Sequence, residues 1–127
     1  MEWTVGSHVR ASYKTGIYVG ELLEVKAEEN KALIKVVSVI KHPQQGDLHN
    51  PKQGDGVFFH QRKALAQYEK VYAPLSTVKP YDGEIVDYKE SLQVAFDKVL
   101  ADVKDKDDSW SKQSVLQLLE LKKDYFG

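Results

Sequence analysis

Apolar and polar residues alternate over short stretches in the first two-thirds of the chain, which is the period expected of strands with one buried face. In residues 8–13 the apolar positions are Val9, Ala11 and Tyr13. Residues 17–25 continue the strand pattern, but its phase changes near Gly20. A glycine at such a change of phase predicts a bulge or a sharp bend.

Turn-forming residues separate these stretches and predict antiparallel hairpins. Gly16 lies in the first turn, where we expect it to take a positive φ angle. Asn30 lies in the polar connection 27–31 and is the residue there that best tolerates the left-handed conformation. Residues 32–40 are rich in β-branched side chains, and neither face is purely polar. This composition predicts a central strand buried on both sides along much of its length.

The middle of the chain has weaker signals. Residues 41–56 are rich in glycine, proline and polar side chains, which predicts a long loop with a functional role or high mobility. A strand is expected to restart at residues 57–60. Residues 71–78, bounded by prolines, are expected to be extended.

The last third of the chain changes to a helical period. Apolar residues recur at three- and four-residue spacing over residues 88–103, which predicts an amphipathic helix. A second helix is predicted over residues 109–126, with Asp108 or Ser109 as its N-cap. Its expected apolar stripe contains Val115, Leu118, Leu119 and Phe126.

These patterns predict a mainly β fold with C-terminal helices. We expect a small SH3-like antiparallel β-barrel over residues 1–83. A two-helix hairpin over residues 84–127 is expected to pack on the barrel or on a partner. A chain of 127 residues can bury a sufficient core without cross-links, and this one contains no cysteine.

Charge and hydropathy narrow the expected location and partners. Residues 1–83 carry 11 basic and 9 acidic residues, while residues 84–127 carry 7 and 10. Because this basic excess is small and dispersed, nucleic acid is not an expected partner. The mean hydropathy is −0.48, and no apolar run is long enough for a membrane span or a secretory signal. We therefore expect a cytoplasmic protein that does not insert directly into a membrane.

Motifs of catalytic sites are missing from the sequence. The glycines at residues 54 and 56 are not followed by a Lys-Ser/Thr pair, and there is no His-Glu-x-x-His. We therefore expect no enzymatic activity, no catalytic residue and no cofactor. His42, His49, Asp47 and Asp55 share one loop, but their spacing matches no known metal site, and no metal is expected there.

Aromatic and polar residues of the strand-rich part are the candidate partner contacts. SH3-type barrels use exposed tyrosines to form a groove for extended peptides. Tyr13 and Tyr18 flank the first turn and are the preferred candidates, joined by Phe59, His60 and Arg62. The alternative is that most aromatic residues fill the barrel, and His60 is expected to be a half-buried strand residue.

Three segments resemble the kinase-associated protein B family of endospore-forming bacteria, also called kinase-associated lipoprotein B. They are SYKTGIYVGE at residues 12–21, Gly-Asp at residues 54–55 and VFFHQRKALA at residues 57–66. The resemblance spans nearly the whole chain and implies a small β-barrel with C-terminal helices. It also implies a non-catalytic accessory factor that supports a membrane-bound sporulation sensor histidine kinase feeding the phosphorelay. No site residue carries over from the family.

Two features of the sequence limit what this resemblance implies. Lipid attachment at a bacterial lipobox requires a cysteine thiol, and none is present, so we expect any membrane association to go through the kinase partner. The two predicted helices contain no histidine, so they cannot carry a phosphoryl group as a histidine phosphotransfer module does.

Two other functions remain open from the residues alone. One is a nucleic-acid-binding small barrel that uses its dispersed lysines, and the other is a ligand- or metal-sensing module that uses residues 41–56. The oligomeric state is not predicted.

Overall fold

An antiparallel sheet followed by two helices forms the fold. The computed structural model describes residues 3–47, 52–56 and 59–127. Within these ranges the elements are β1 (His8–Tyr13), β2 (Gly16–Lys26), β3 (Lys31–Lys41), β4 (Lys70–Pro74), β5 (Lys79–Pro80), α1 (Tyr88–Val103) and α2 (Ser109–Phe126). The prediction of a mainly β fold with C-terminal helices is confirmed, and both helices have the predicted bounds.

The sheet has the strand order β4-β3-β2-β1-β5, and each neighbouring pair is antiparallel. β2 bends because its pairing with β3 shifts register at several places, one of them between Val19 and Gly20. A Cβ atom at Gly20 would lie 3.0 Å from the carbonyl oxygen of Lys35, so the close approach of β3 leaves little room for a larger residue there. The predicted bulge at Gly20 is confirmed.

The sheet curls around a small core but does not close. Side chains from β1 to β4 and from the residue before β5 form one buried cluster: Val9, Ala11, Leu22, Ala32, Ile34, Ala73 and Val78. In the part of the chain that the structure describes, no ladder joins β4 to β5, so the expected barrel is matched only in part, by a curled sheet that stays open. Each of these two edge strands ends in a proline, which has no N–H to donate to a ladder.

The two expected left-handed turn residues have different outcomes. Asn30 has a φ of 55°, as predicted. In the first turn Lys14, not Gly16, takes the positive φ, of 54°. Glycine is needed at position 16 for another reason, because a Cβ there would lie 2.4 Å from the hydroxyl oxygen of Tyr18.

The chain between β3 and β4 is irregular wherever it is described. Lys41 ends β3, so the predicted loop begins one residue later than expected. Phe59 and His60 are not in a strand, and His60 is exposed rather than half-buried. Val57 and Phe58, the rest of that predicted strand, lie outside the described residues. The expected extended segment 71–78 is interrupted by a 3₁₀ turn at Leu75–Thr77.

Helix α1 packs on β3, and the two helices pack on each other. Leu92 and Ala95 of α1 meet Val36 and Val39 of β3 in a second buried cluster. The Ser91 hydroxyl of α1 accepts a hydrogen bond of 2.9 Å from the Val39 N–H. The third cluster joins the helices through Phe96, Val103, Leu118 and Leu121. The division of the chain at residue 83 stays a prediction.

The start of α2 follows the predicted capping pattern. A carboxylate oxygen of Asp108 accepts a hydrogen bond from the Ser111 N–H at 2.8 Å, which confirms the predicted N-cap region. This bond and a second from the Ser111 hydroxyl lower the pKa of Asp108. Leu119 is 43% exposed and Leu121 is fully buried, so the predicted stripe was wrong at Leu119. In the described part of the chain, no helix is both long and apolar enough to cross a membrane.

Two leucines of α2 provide a matched test of this docking. Leu118 is fully buried, whereas Leu116 is 60% exposed. We expect Leu118→Ala to lower the free energy of unfolding by about 2–5 kcal/mol, because it leaves a cavity between the helices. Leu116→Ala should change it by less than about 0.5 kcal/mol. Urea unfolding followed by circular dichroism measures both, and equal losses would show that α2 is not docked through Leu118.

Candidate partner-contact site

A pocket of about 280 Å³ lies beside the turn between β1 and β2. We call it the turn pocket. Its lining includes Tyr13, Lys14 and Thr15 from the turn, Pro43 from the loop after β3, and Arg62 and Lys63 from the irregular segment before β4. Residues far apart in the chain therefore meet at one place on the surface.

The structure brings together three of the five candidate contact residues. Tyr13 and Arg62 are half-buried at the turn pocket, and Tyr18 also lines it. Phe59 and His60 are not among its lining residues. Phe59 is half-buried against the Gly46 backbone, where a Cβ on that glycine would lie 3.0 Å from the ring.

Tyr18 is not the exposed contact residue that was expected, because only 1% of it is accessible. From residue 16 to residue 22 the even-numbered positions of β2 are all buried, so Tyr18 shares its face with Gly20 and Leu22. Tyr18 pairs with Ala11 of β1, which is also buried. The side chain therefore points into the molecule, beneath the turn pocket.

Three tyrosine hydroxyls hold the backbone of the segment before β4. The Leu65 N–H donates to the Tyr18 hydroxyl at 3.3 Å, and the Leu65 carbonyl accepts from the Tyr88 hydroxyl. The Ala64 N–H donates to the Tyr125 hydroxyl at 2.9 Å. These bonds satisfy backbone groups that have no strand or helix partner.

Burial keeps these hydroxyls protonated. It raises the pKa of Tyr125 to about 12, and it also raises the pKa of Tyr18 and of Tyr88. In each case the charged phenolate would lose its hydration, which disfavours ionisation. The three tyrosines are therefore neutral structural groups at physiological pH, not bases.

Gln45 joins the loop after β3 to the same segment. Its side-chain amide donates to the Arg62 carbonyl and accepts from the Arg62 N–H, each at 2.8 Å. The Arg62 Nε–H donates to the Gly46 carbonyl at 2.9 Å, and the Trp110 indole N–H donates to the Gln45 carbonyl at 3.0 Å. This role of Gln45 was not predicted, since an isolated glutamine in a polar loop carries no pattern.

His42 is fully buried beneath this loop and uses both ring nitrogens. Nδ1 lies 2.9 Å from the Pro43 carbonyl oxygen, which can only accept, so Nδ1 carries the proton. Nε2 lies 2.9 Å from the Tyr125 hydroxyl and accepts from it. Burial lowers the pKa of His42 and favours this neutral tautomer.

The histidines and aspartates of residues 41–56 do not form a metal site in the described part of the chain. His42 has no free ring nitrogen for a ligand bond, and His49 lies outside the described residues. Among residues 3–47, 52–56 and 59–127, no three histidine or acidic side chains are close enough to hold a metal ion.

The charges around the turn pocket are mainly positive. Lys14, Arg62 and Lys63 line it together with one carboxylate, that of Glu69. The Glu69 carboxylate accepts a hydrogen bond of 2.8 Å from the Ala66 N–H. The Lys14 ammonium lies 5.5 Å from the centre of the Tyr13 ring. An aromatic ring surrounded by cations can bind a partner segment that carries acidic and apolar groups.

Lys14 was not predicted as a contact residue, and Lys63 was expected only as one of the dispersed basic residues. The available signal was their position, since Lys14 follows Tyr13 in the turn and Lys63 follows Arg62. That the two neighbourhoods meet depends on the tertiary structure.

Comparisons with known proteins agree with the resemblance of the sequence. The profile of a family described as "Kinase associated protein B" matches residues 13–126. The chain is 47% identical over 122 residues to Kinase-associated lipoprotein B of Bacillus subtilis (strain 168), covering 96% of this chain and 94% of that protein. The crystal structure of kinase-associated protein B from Bacillus cereus has 34% identity and a TM-score of 0.81, with 98% of each chain covered.

Removal of the Tyr125 hydroxyl tests the hydrogen bonds beneath the turn pocket. We expect Tyr125→Phe to lower the free energy of unfolding by about 1–3 kcal/mol, because the His42 Nε2 and the Ala64 N–H both lose a partner. Tyr72→Phe is the matched control, since its hydroxyl is exposed and lies 3.4 Å from Glu24. Chemical unfolding measures both variants, and a Tyr125→Phe protein as stable as the control would contradict this arrangement.

Burial of neutral His42 predicts a pH dependence of stability. The pKa is lowered in the folded state, so below about pH 6.5 the unfolded chain binds a proton that the folded chain does not. The contribution of neutral His42 to the free energy of unfolding is therefore fully present above that pH. It decreases as the pH falls, by at most about 1.4 kcal/mol per pH unit. Urea unfolding between pH 7.5 and pH 5 should show a smaller change for His42→Gln than for the wild type.

The control for this pH experiment is His8→Gln, because His8 is exposed on β1. It should keep the full pH dependence of the wild type. An NMR titration of the His42 ring in the wild type provides a second measurement that does not depend on how the variant folds. An ordinary histidine pKa at this position would refute the prediction.

Proposed function

Because the chain belongs to the kinase-associated protein B family, we propose that it is a non-catalytic accessory protein that binds a sensor histidine kinase through the turn pocket. The family name associates these proteins with a kinase. The observation that carries the proposal is the half-buried Tyr13 among three cations on a hydrogen-bonded frame. Such a surface can bind a protein segment without reorganising its backbone.

The roles of the polar groups in the turn pocket support binding rather than catalysis. The Thr15 hydroxyl accepts a hydrogen bond of 2.9 Å from the Gln44 N–H. The Tyr18 hydroxyl and the Glu69 carboxylate also accept from backbone N–H groups. These groups hold the chain in place, whereas a catalytic site needs a nucleophile or a base directed at a substrate.

We propose further that the partner kinase is a sporulation sensor kinase that feeds the phosphorelay, as the family resemblance implies. In this proposal the protein regulates by contact, because α1 and α2 contain no histidine that could carry a phosphoryl group. The protein is cytoplasmic and reaches the membrane through the membrane-bound kinase. Cations at the turn pocket support an acidic contact segment on the partner.

Kinase binding and autophosphorylation test this function. The purified protein should bind the sensor kinase of its source cell and change the rate at which that kinase phosphorylates itself. We expect Tyr13→Ala and Lys63→Glu each to weaken binding about tenfold, because they remove a central aromatic contact and reverse one charge. Isothermal titration calorimetry measures the affinity, and transfer of labelled phosphate measures the kinase rate.

Two controls change exposed residues of the same types that do not line the turn pocket. Tyr72→Ala on β4 and Lys112→Glu on α2 should leave both measurements unchanged. If the wild-type protein neither binds the kinase nor alters its rate, the proposed function is wrong. If the pocket variants and these controls weaken binding equally, the turn pocket is not the contact site.

A further inference from the structure

A second surface lies beside α1, on the face of the sheet that this helix crosses. Two cavities of about 160 and 350 Å³ meet there at Ile40 and Ala95. Together they form a continuous groove, which we call the helix groove. It shares no lining residue with the turn pocket.

One half of the helix groove is apolar. Ile40 is 37% exposed, and Val94 on α1 is 66% exposed, although both are large hydrophobic residues. Val86, from the linker before α1, lies on the same surface and is also exposed. Clustered exposed apolar side chains of this kind are typical of a surface that another molecule covers.

The other half of the helix groove is basic. Arg10 of β1, Lys41 of β3 and Lys98 of α1 line it with a single carboxylate, that of Asp102. None of these three cations forms an ion pair with any residue that the structure describes. Lys79 of β5 lies opposite Arg10 in the β1–β5 ladder and brings a fourth positive charge near this half.

We propose that the helix groove binds an amphipathic acidic segment of a partner protein. Apolar side chains of that segment cover Ile40 and Val94, and its carboxylates meet Arg10, Lys41 and Lys98. These three cations have no ion pair among the described residues, and together with the apolar floor they are complementary to such a segment in both charge and hydrophobicity. The proposal is independent of the proposed function, since it assigns a partner chemistry to a different surface.

The distribution of charge favours this occupant over two others. A second copy of the chain, docked symmetrically through the same groove, would bring the same excess of cations and only one carboxylate, that of Asp102, to meet them. A nucleic acid would place phosphates along the whole groove, but only one half is basic. The linker at the apolar end contains Asp82, Glu84 and Asp87, which repel phosphates.

NMR titration of the full-length, nitrogen-15-labelled chain tests the proposal with a defined probe. The probe is a synthetic peptide of about 15 residues with leucines at helical spacing and glutamates between them. We expect it to shift the backbone amide signals of Ile40, Lys41, Val94 and Lys98, and to bind more weakly as salt is added. A second peptide, with lysine in place of each glutamate, should leave these signals unchanged.

Matched variants on the two helices locate the binding site. Val94→Asp and Lys98→Glu on α1 should each weaken binding of the glutamate peptide about fivefold or more. Leu116→Asp and Lys112→Glu are the controls on α2, where both residues are exposed and neither lines the helix groove. The controls should bind the peptide as the wild type does.

Three results would overturn the proposal. The glutamate peptide could leave the groove amides unshifted, it could act mainly on amides of the turn pocket, or both peptides could bind alike. The outcome of this peptide experiment does not depend on the kinase experiment, because the turn-pocket variants alter no residue of the helix groove.

Discussion

The structure depends on how the irregular chain before β4 satisfies its backbone hydrogen bonds. Residues 61–67 are in neither a strand nor a helix, yet part of this segment is buried against the sheet and helices. Side chains from β2, α1 and α2 supply the missing partners through Tyr18, Tyr88 and Tyr125. A buried backbone group without a partner costs about 1–3 kcal/mol. The fold therefore needs these three tyrosine hydroxyls, whatever partner the protein binds. The three tyrosines, together with Gln45 at Arg62, hold the backbone of this segment at Arg62, Ala64 and Leu65.

This frame places two binding surfaces next to each other. Pro43 lines the turn pocket, and the preceding residue, His42, lines the helix groove. The bond between His42 and Tyr125 links the loop after β3 to α2 beneath both surfaces. Because residues 42–46 and the segment before β4 are already held by hydrogen bonds, the protein loses less conformational freedom when a partner binds at either surface. Both surfaces carry a positive charge, although the whole chain has a net charge of −1.

The candidate site was only partly predictable. Tyr13 and Arg62 do lie at the turn pocket. Both were predictable as contact residues, because a tyrosine at a turn and a charged arginine tend to stay near the surface. Tyr18 was expected beside Tyr13 on the surface, but it lies opposite the buried Ala11 of β1 and faces inward. Side chains of a strand alternate with a period of two, so an error of one residue in the phase reverses the predicted face. Gln45 had no sequence signal, since its role depends on the backbone of Arg62, far along the chain.

The sequence by itself determined the elements whose hydrophobic period is long and regular. The helices Tyr88–Val103 and Ser109–Phe126, and the bend of β2 at Gly20, follow from local spacing and from backbone sterics. Only the tertiary structure decided that the sheet stays open, that Tyr18 is buried, and that the turn pocket and the helix groove form. Each of these depends on groups distant in sequence, and a linear pattern records which residues prefer burial but not which of them meet.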